Sequence, residues 1–351
     1  MQPKNTKLGG RGAPNNPAGR FEKFACLHET EASEDNRPAT SIFRDTSKTI
    51  ISTNDSPDVG IEASVNPYRG CEHGCIYCYA RPTHEYLGLS AGLDFETKIF
   101  AKFDAPRLLR EKLSSKSWIP KTITLSGVTD PYQPLERKLK ITRGCLEVLA
   151  EFRNPAFFIT KNQLITRDLD LLAELAHFQA AGAFISITTL DSGLARIMEP
   201  RASQPALRLR AVEELARAGI PVGVMIGPVL PGLTEYEIPN ILESAAQAGA
   251  ITASYTMLRL PYGVKDLFQD WLTQHYPDRK DKIINRIKEM RGGKLNASEF
   301  GERMRGIGHH AGQIDQLFNL HKKKFGLDKR LPPLSIASFR RVKDGKQGEL
   351  F

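Results

Sequence analysis

The stretch NPYRGCEHGCIYCYARP, residues 66 to 82, sets Cys71, Cys75 and Cys78 within eight consecutive positions of a 351-residue chain that has five cysteines in all. Thiolates at C-x3-C-x2-C spacing can turn toward one soft metal centre, and Gly70 and Gly74 let the backbone curl around it. Three centres compete on the residues alone. A structural zinc needs four closed ligands; His73 or His84 would have to be the fourth, and no second C-x2-C or H-x3-H pair follows. A catalytic zinc with an open position more commonly takes His and carboxylate ligands. A four-iron cluster normally takes four cysteines, so three would leave one iron for a ligand from outside the protein. The odd cysteine count and the tight spacing speak against a disulfide framework and for a reducing compartment.

Outward from the loop the chain becomes regular. IEASVNPY reads as a short extended piece, and DAPRLLREKLSS as a helix with Asp104 near its start and Pro106 in its first turn. Strands KTITLSGV, AFFIT, FISITTL, PVGVMIGPVL and ITASYTML then alternate with helices. These are TRGCLEVLAEF, RDLDLLAELAHFQAAG ended by Gly182, PALRLRAVEELARAG ended by Gly219, and YEIPNILESAAQAG ended by Gly249. Apolar, β-branched strands between amphipathic helices predict a parallel sheet covered by helices. Periodicity leaves two architectures open: a doubly wound sheet and an incomplete (βα) barrel. The pattern divides the chain into an extended N-terminal arm over 1–60, a core over 61–260 and a helical C-terminal extension with a basic tail over 261–351.

Hydrophobic residues make up 40% and charged residues 25%, the balance of a folded globular chain. No apolar run of about eighteen residues occurs, and MQPKNTKLGGRGAPNNPAGR lacks the apolar region of a secretory signal. The expectation is a cytoplasmic protein with no membrane partner. The formal charge of +9 suits a polyanionic partner such as DNA, and the residues after Lys322 are basic.

C-x3-C-x2-C after a first strand, with Tyr77 just before the last cysteine, resembles the signature of the radical S-adenosylmethionine (radical SAM) superfamily. The resemblance implies a partial (βα)6 TIM-like barrel. It also implies a [4Fe-4S] cluster on Cys71, Cys75 and Cys78 whose open iron is chelated by the amino and carboxylate groups of S-adenosylmethionine (SAM). One electron, from a reductant such as flavodoxin or ferredoxin, would then cleave SAM to methionine and a 5′-deoxyadenosyl radical that abstracts hydrogen from a substrate. Carried over by position, Tyr77 becomes a wall of the adenine site, and Thr129 and Asp130 in SGVTDPYQP acceptors for the SAM amino group. Lys161 in ITKN becomes a partner of the SAM carboxylate, and Ser186 and Thr188 in ISITTLD face the barrel interior. Arg201 in EPRASQP, beside Glu199, lies within reach of SAM or substrate. The usual GGE form is absent from the amino-group motif, and GVMIGPVLPGLTE matches the adenine region only loosely. His73 and Glu72 read as ordinary loop residues.

NPYRGCEHGCIYCYAR, TDPYQPLE, ITKN and EPRA together are similar to a bacterial group of radical SAM proteins related to spore photoproduct lyase. The resemblance spans residues 60 to 260. It implies an alternative, DNA-lesion repair of the thymine-photoproduct type. That lyase uses a further cysteine as hydrogen donor, whereas Cys145, between apolar neighbours Leu146 and Leu149, reads as a packed side chain. A further alternative is a non-enzymatic metal-binding module. It draws on the terminal KQGELF, in which Gln347, Leu350 and Phe351 resemble a sliding-clamp-binding pentapeptide with Gly348 at its first leucine.

Overall fold

In the computed structural model, residues 10–21 and 38–342 are described. Among them lie ten strands: β1 (Ser41–Arg44), β2 (Ile51–Thr53), β3 (Ala63–Val65), β4 (Tyr68–Arg69), β5 (Lys98–Ala101), β6 (Ile123–Leu125), β7 (Ala156–Thr160), β8 (Ala181–Ser186), β9 (Val222–Val229) and β10 (Thr252–Met257). The main sheet runs β10-β9-β8-β7-β6-β3-β2. All its neighbours are parallel except β2, which lies antiparallel to β3. The six parallel strands and their crossover helices make a partial (βα)6 barrel, open between β2 and β10. A smaller sheet, β1-β5-β4, stands beside it.

The strands read as apolar runs because both their faces are covered. Every residue of β3 and β6 is buried, and Ala156, Phe158, Ala183, Ile185, Val222, Val224 and Ile226 are 0–1% exposed. Each fully buried aliphatic side chain contributes about 1.5–3 kcal/mol. Helices Ala105–Ser114, Ile141–Phe152, Leu169–His177, Pro205–Arg217 and Ile238–Gln247 supply the outer layer. The chain turns out of the last two at Gly219 and Gly249, both with positive φ. The helix before β8 is different. It stops at His177, Gln179 takes the left-handed turn at φ 53°, and Gly182 lies inside β8. The Phe157 ring explains the glycine: a Cβ at Gly182 would stand 3.1 Å from it.

Two pieces of the chain outside the six units also position the cysteine loop. Helices Val264–His275 and Lys280–Glu289 bring Phe268, Trp271 and Ile284 into one apolar cluster with Ile76 and Tyr77, and the Trp271 indole donates to the Ile197 carbonyl at 3.0 Å. From the arm, residues 11–17 run against the loop itself. Gly12 and Gly74 touch so closely that a Cβ on Gly12 would sit 1.7 Å from the Gly74 carbonyl oxygen. Gly12→Ala is therefore expected to destabilise the protein by about 1–3 kcal/mol, through forced displacement of packed backbone. An unchanged urea midpoint would contradict this.

At the opening of the barrel, the Asp58 carboxylate, a few residues past β2, accepts from the Gly301 amide at 2.7 Å and pairs with Arg303. The short helix Glu302–Arg305 that carries Arg303 packs on β10. This polar contact spans the gap between the two free sheet edges.

Candidate active site

The three cysteines follow β4 on a loop closed by its own backbone bonds, Cys78 N to Cys75 O at 3.2 Å and Arg81 N to Cys78 O at 3.2 Å. Gly74 turns the loop at φ +67°, where a side chain would strike the Glu96 carboxylate. Arg81 holds the loop from inside. Its guanidinium donates to the carbonyls of Cys75 (2.9 Å), Gly74 (3.2 Å), Ala91 (3.2 Å) and Gly92 (2.9 Å), and pairs with Glu96. Glu96 in turn accepts from the Gly12 and Ala13 amides at 2.9 and 2.8 Å, and both side chains of the pair are fully buried. A buried ion pair is tolerable only when its remaining donors and acceptors are used, as they are here.

The loop opens into a cavity of about 730 Å³ at the C-terminal ends of the parallel strands, the end where barrels of this kind carry their sites. Cys71, Cys75, Tyr77 and Cys78 line it from the loop; Thr129, Asp130, Lys161 and Ser186 line it from the ends of β6, β7 and β8. All three thiols are free. Burial pushes each of them up, aided by Asp130 at Cys71 and by Glu199 at Cys75. Thiols so placed ionise only against a cationic centre, which is what iron would provide. Among the described residues, no three His, Cys, Asp or Glu side chains converge as ligands of a single ion do.

Glu199, 1% exposed, organises one wall. It pairs with Arg208, accepts from Tyr77 Oη and from Thr188 Oγ1 (2.8 Å), and lies 3.5 Å from Lys161 Nζ. Burial acts to raise this carboxyl, but Arg208 and Lys161 overcome it and hold it well below the usual carboxylate range. Lys161 Nζ also donates to the Gly227 carbonyl at 2.7 Å. The Arg208 guanidinium is completed by the carbonyls of Ser186 (3.1 Å) and Ser203 (2.6 Å).

Next to Lys161, Asp130 accepts from the Tyr132 amide (2.9 Å), Thr160 Oγ1 (2.6 Å) and the Lys161 amide (2.8 Å), and faces His73 Nδ1 at 3.4 Å. Here too burial pulls upward, while His73 and these hydrogen bonds hold the carboxyl below its ordinary range. Thr129 Oγ1 donates to the Tyr68 carbonyl at 3.0 Å and keeps its lone pairs.

The structure thus brings Tyr77, Lys161, Thr188 and Glu199 together, with Asp130 joined to them through the Lys161 amide and Thr129 beside it in the chain. Thr188 lies behind the cavity surface. Arg201 does not line the cavity; it pairs with Glu72 at 3.0 Å rather than with Glu199. His73 and Glu72 are buried, 1% and 3% exposed, which corrects their reading as ordinary loop residues. His73 is held by Asn162 at 3.1 Å, and the Glu72 amide donates to Gln133 at 2.9 Å. Cys145 is 0% exposed in the main core and does not line the cavity. Cys26, Gln347, Leu350 and Phe351 lie outside the described residues. Glu96 and Arg208 had no motif to mark them, and Arg81, the last residue of NPYRGCEHGCIYCYAR, was given no role of its own.

A six-strand parallel barrel whose first loop carries three free thiols into the cavity at its strand ends defines a class of cofactor-dependent barrel enzymes. Residues 65–245 match the radical SAM superfamily, and the chain belongs to it. Enzymes of this superfamily use a [4Fe-4S] cluster with SAM and need a reductant. The chain is similar to an uncharacterized protein of Mycobacterium tuberculosis, 35% identical over 65% of this chain and 66% of that one, just under two thirds of its length. It is also similar to an uncharacterized protein of Methanocaldococcus jannaschii, 26% identical over 65% of this chain and 81% of that one. Among solved structures, a variant of spore photoproduct lyase shares the fold at TM-score 0.57 and 16% identity, over 88% of this chain and 86% of that one. The same enzyme complexed with dinucleoside spore photoproduct gives TM-score 0.55 at 16% identity, over 81% and 78%. No helix among the described residues is long and apolar enough to cross a membrane.

Proposed function

We propose that Cys71, Cys75 and Cys78 hold the [4Fe-4S] cluster, leaving one iron to SAM, and that the cavity above them receives the substrate. The observation that carries this reading is that the three thiols and the strand-end residues Thr129, Lys161 and Ser186 share one cavity. When bound, the cluster and SAM would supply a one-electron cleavage that ends in removal of a hydrogen atom from the substrate.

The chain's own residues have separable tasks. Arg81 and Glu96 fix the backbone of the cysteine loop. Glu199 aims Lys161, Thr188 and Tyr77, so that the Lys161 ammonium is presented to a carboxylate of SAM and the Tyr77 ring to its adenine. Thr129 offers an acceptor to the SAM amino group, and Ser186 a hydroxyl to the ribose. Asp130 holds the adjoining loop through its hydrogen bonds while placing negative charge near the same ammonium. Arg201 supports the loop through Glu72.

Anaerobic reconstitution should give about four irons per chain, and dithionite with SAM should yield 5′-deoxyadenosine. Cys75→Ala is expected to lose iron and to form 5′-deoxyadenosine only at background, whereas Cys145→Ala, in the core, is expected to retain both. Zinc at one per chain without iron after anaerobic purification, or no 5′-deoxyadenosine from fully loaded protein, would refute the reading.

A second reading narrows the substrate to damaged DNA. The charge of +9 and the guanidinium groups at the cavity's outer end favour it. It expects ultraviolet-irradiated DNA to bind better than undamaged DNA at low salt and to lose its lesion; failure of both discards it.

A further inference from the structure

At the outer end of the cavity, three guanidinium groups meet one carboxylate. Arg303 uses that carboxylate, pairing with Asp58 and donating to Ser56 Oγ at 2.5 Å. Arg291, 4% exposed, donates to the carbonyls of Leu258 (2.7 Å) and Glu302 (2.9 Å), which satisfy its N–H groups without neutralising it. Among the described residues, Arg259, just past β10, has neither kind of partner. Its Nη1 finds only the Met304 sulfur at 3.7 Å, its guanidinium lies 5.4 Å from the Tyr79 ring centre, and its Nε is buried with no hydrogen bond.

Guanidinium groups stay charged in proteins, so this end of the cavity carries positive charge in excess, partly removed from water. Burial first, and then the charge of Arg303, lowers Arg259 against the opposing pull of Tyr79 and Asp58, while burial and then Arg259 push Arg291 down to about 10. A partly desolvated cation without an ion-pair partner of its own is unfavourable, and an anion entering the cavity reduces the penalty. Arg259, Arg303, Tyr79 and Phe300 all line this space. The rings of Tyr79 and Phe300 are 50% and 61% exposed, and Arg303 stacks on Phe300 at 4.5 Å. The two aromatic faces therefore flank the place where the missing charge belongs.

We propose that Arg259 is the oxyanion-binding residue of the substrate site, taking a phosphate or carboxylate borne next to a planar group. The inference rests on the reading of the cavity as the substrate chamber, and adds to it the chemical class of the substrate. Arg259 lines the cavity, and a guanidinium presents paired N–H groups that match two oxygens of either group. Phosphate and carboxylate share this chemistry, and the test separates them.

The test titrates anaerobically reconstituted protein by calorimetry with phenyl phosphate, benzoate and phenol. The charged probes are expected to bind about tenfold or more tighter than phenol, and Arg259→Gln to weaken phenyl phosphate by about tenfold while leaving phenol unchanged. A preference for phenyl phosphate over benzoate assigns a phosphate, and the reverse a carboxylate. Equal binding of phenol and phenyl phosphate, or an Arg259→Gln protein that binds phenyl phosphate as the unmodified one does, overturns the proposal. So does displacement of phenyl phosphate by SAM, which would give Arg259 to the carboxylate of SAM. If Arg259→Gln does not fold, the unmodified protein decides the matter. Its discrimination against phenol must exist and must shrink as sodium chloride is raised. Formation of 5′-deoxyadenosine by the unmodified protein, measured without any probe, tests the SAM-cleaving reading separately.

Discussion

Glu96→Ala is expected to lower the thermal midpoint by on the order of 5 °C or more and to leave the reconstituted protein poor in iron. The substitution removes the only carboxylate paired with Arg81 among the described residues and strips the Gly12 and Ala13 amides of their acceptors, all in a place without solvent. Breaking a buried pair by deleting one partner costs about 3–5 kcal/mol, because the other charge remains behind. That is a large share of a stability of about 5–15 kcal/mol, and each kcal/mol lost moves the midpoint of a large domain by roughly 2–4 °C. Iron content should fall along with stability, since Arg81 binds the Gly74 and Cys75 carbonyls of the cysteine loop. Glu96→Gln keeps an acceptor but loses the charge, and should lie between the two. A Glu96→Ala protein that melts within a degree of the unmodified chain and takes up full iron would show that the loop holds itself.

Replacing Glu199 has a comparable cost and a pH signature of its own. Glu199→Ala leaves Arg208, 1% exposed, without its counter-ion, and leaves Tyr77 Oη and Thr188 Oγ1 without their acceptor. A loss of about 3–5 kcal/mol is again expected. The folded protein holds this carboxyl below its ordinary value of 4.5, through Arg208 and Lys161 against the pull of burial. The unfolded chain therefore binds a proton first as pH falls, and stability falls with it. The contribution is fully present above 4.5 and is lost progressively as pH drops below it. Urea midpoints of the unmodified protein and Glu199→Gln should thus differ most near neutrality and approach one another toward acid. A difference independent of pH would assign Glu199 a packing role only. Because Lys161 lies 3.5 Å from Glu199, 5′-deoxyadenosine formation should also fall, chiefly through weaker SAM binding.

The parallel sheet and its helices were legible in the sequence because strands covered on both faces must be apolar throughout, while their helices show one apolar stripe; the choice of a barrel over a doubly wound sheet came from the resemblance carried by the cysteine motif. The runs AFFIT and ITASYTML needed nothing else. Cys71, Cys75 and Cys78 stood out because three of the five cysteines fall within eight positions, and the structure sets all three on the cavity. Gly182 misled because a glycine after a helix pattern looks like a stop signal, whereas here it makes room for Phe157 from a neighbouring strand. The ion pairs were hidden for a different reason. Arg81 with Glu96, and Arg208 with Glu199, are residues that normally sit in water, and nothing local says they are enclosed. Their burial is a property of the assembled barrel. The same holds for Glu72 and His73, whose partners Gln133 and Asn162 lie 61 and 89 residues away.

Asp58 and Arg303 give the open barrel a further property. Where a closed barrel would continue its ladder from the last strand to the first, this one has a single ionic joint between residues 245 positions apart. A ladder of backbone bonds resists spreading at every rung, whereas this joint rests on one largely enclosed ion pair with the Gly301 amide and the Ser56 hydroxyl beside it. Mechanically the barrel is a ring with one link that is not a ladder, and that link stands at the mouth of the cavity. The strands β6, β7 and β8, whose ends lead to Thr129, Lys161 and Ser186, lie in the middle of the ladder, away from it. The joint and the site-bearing strands thus lie on opposite sides of the same ring.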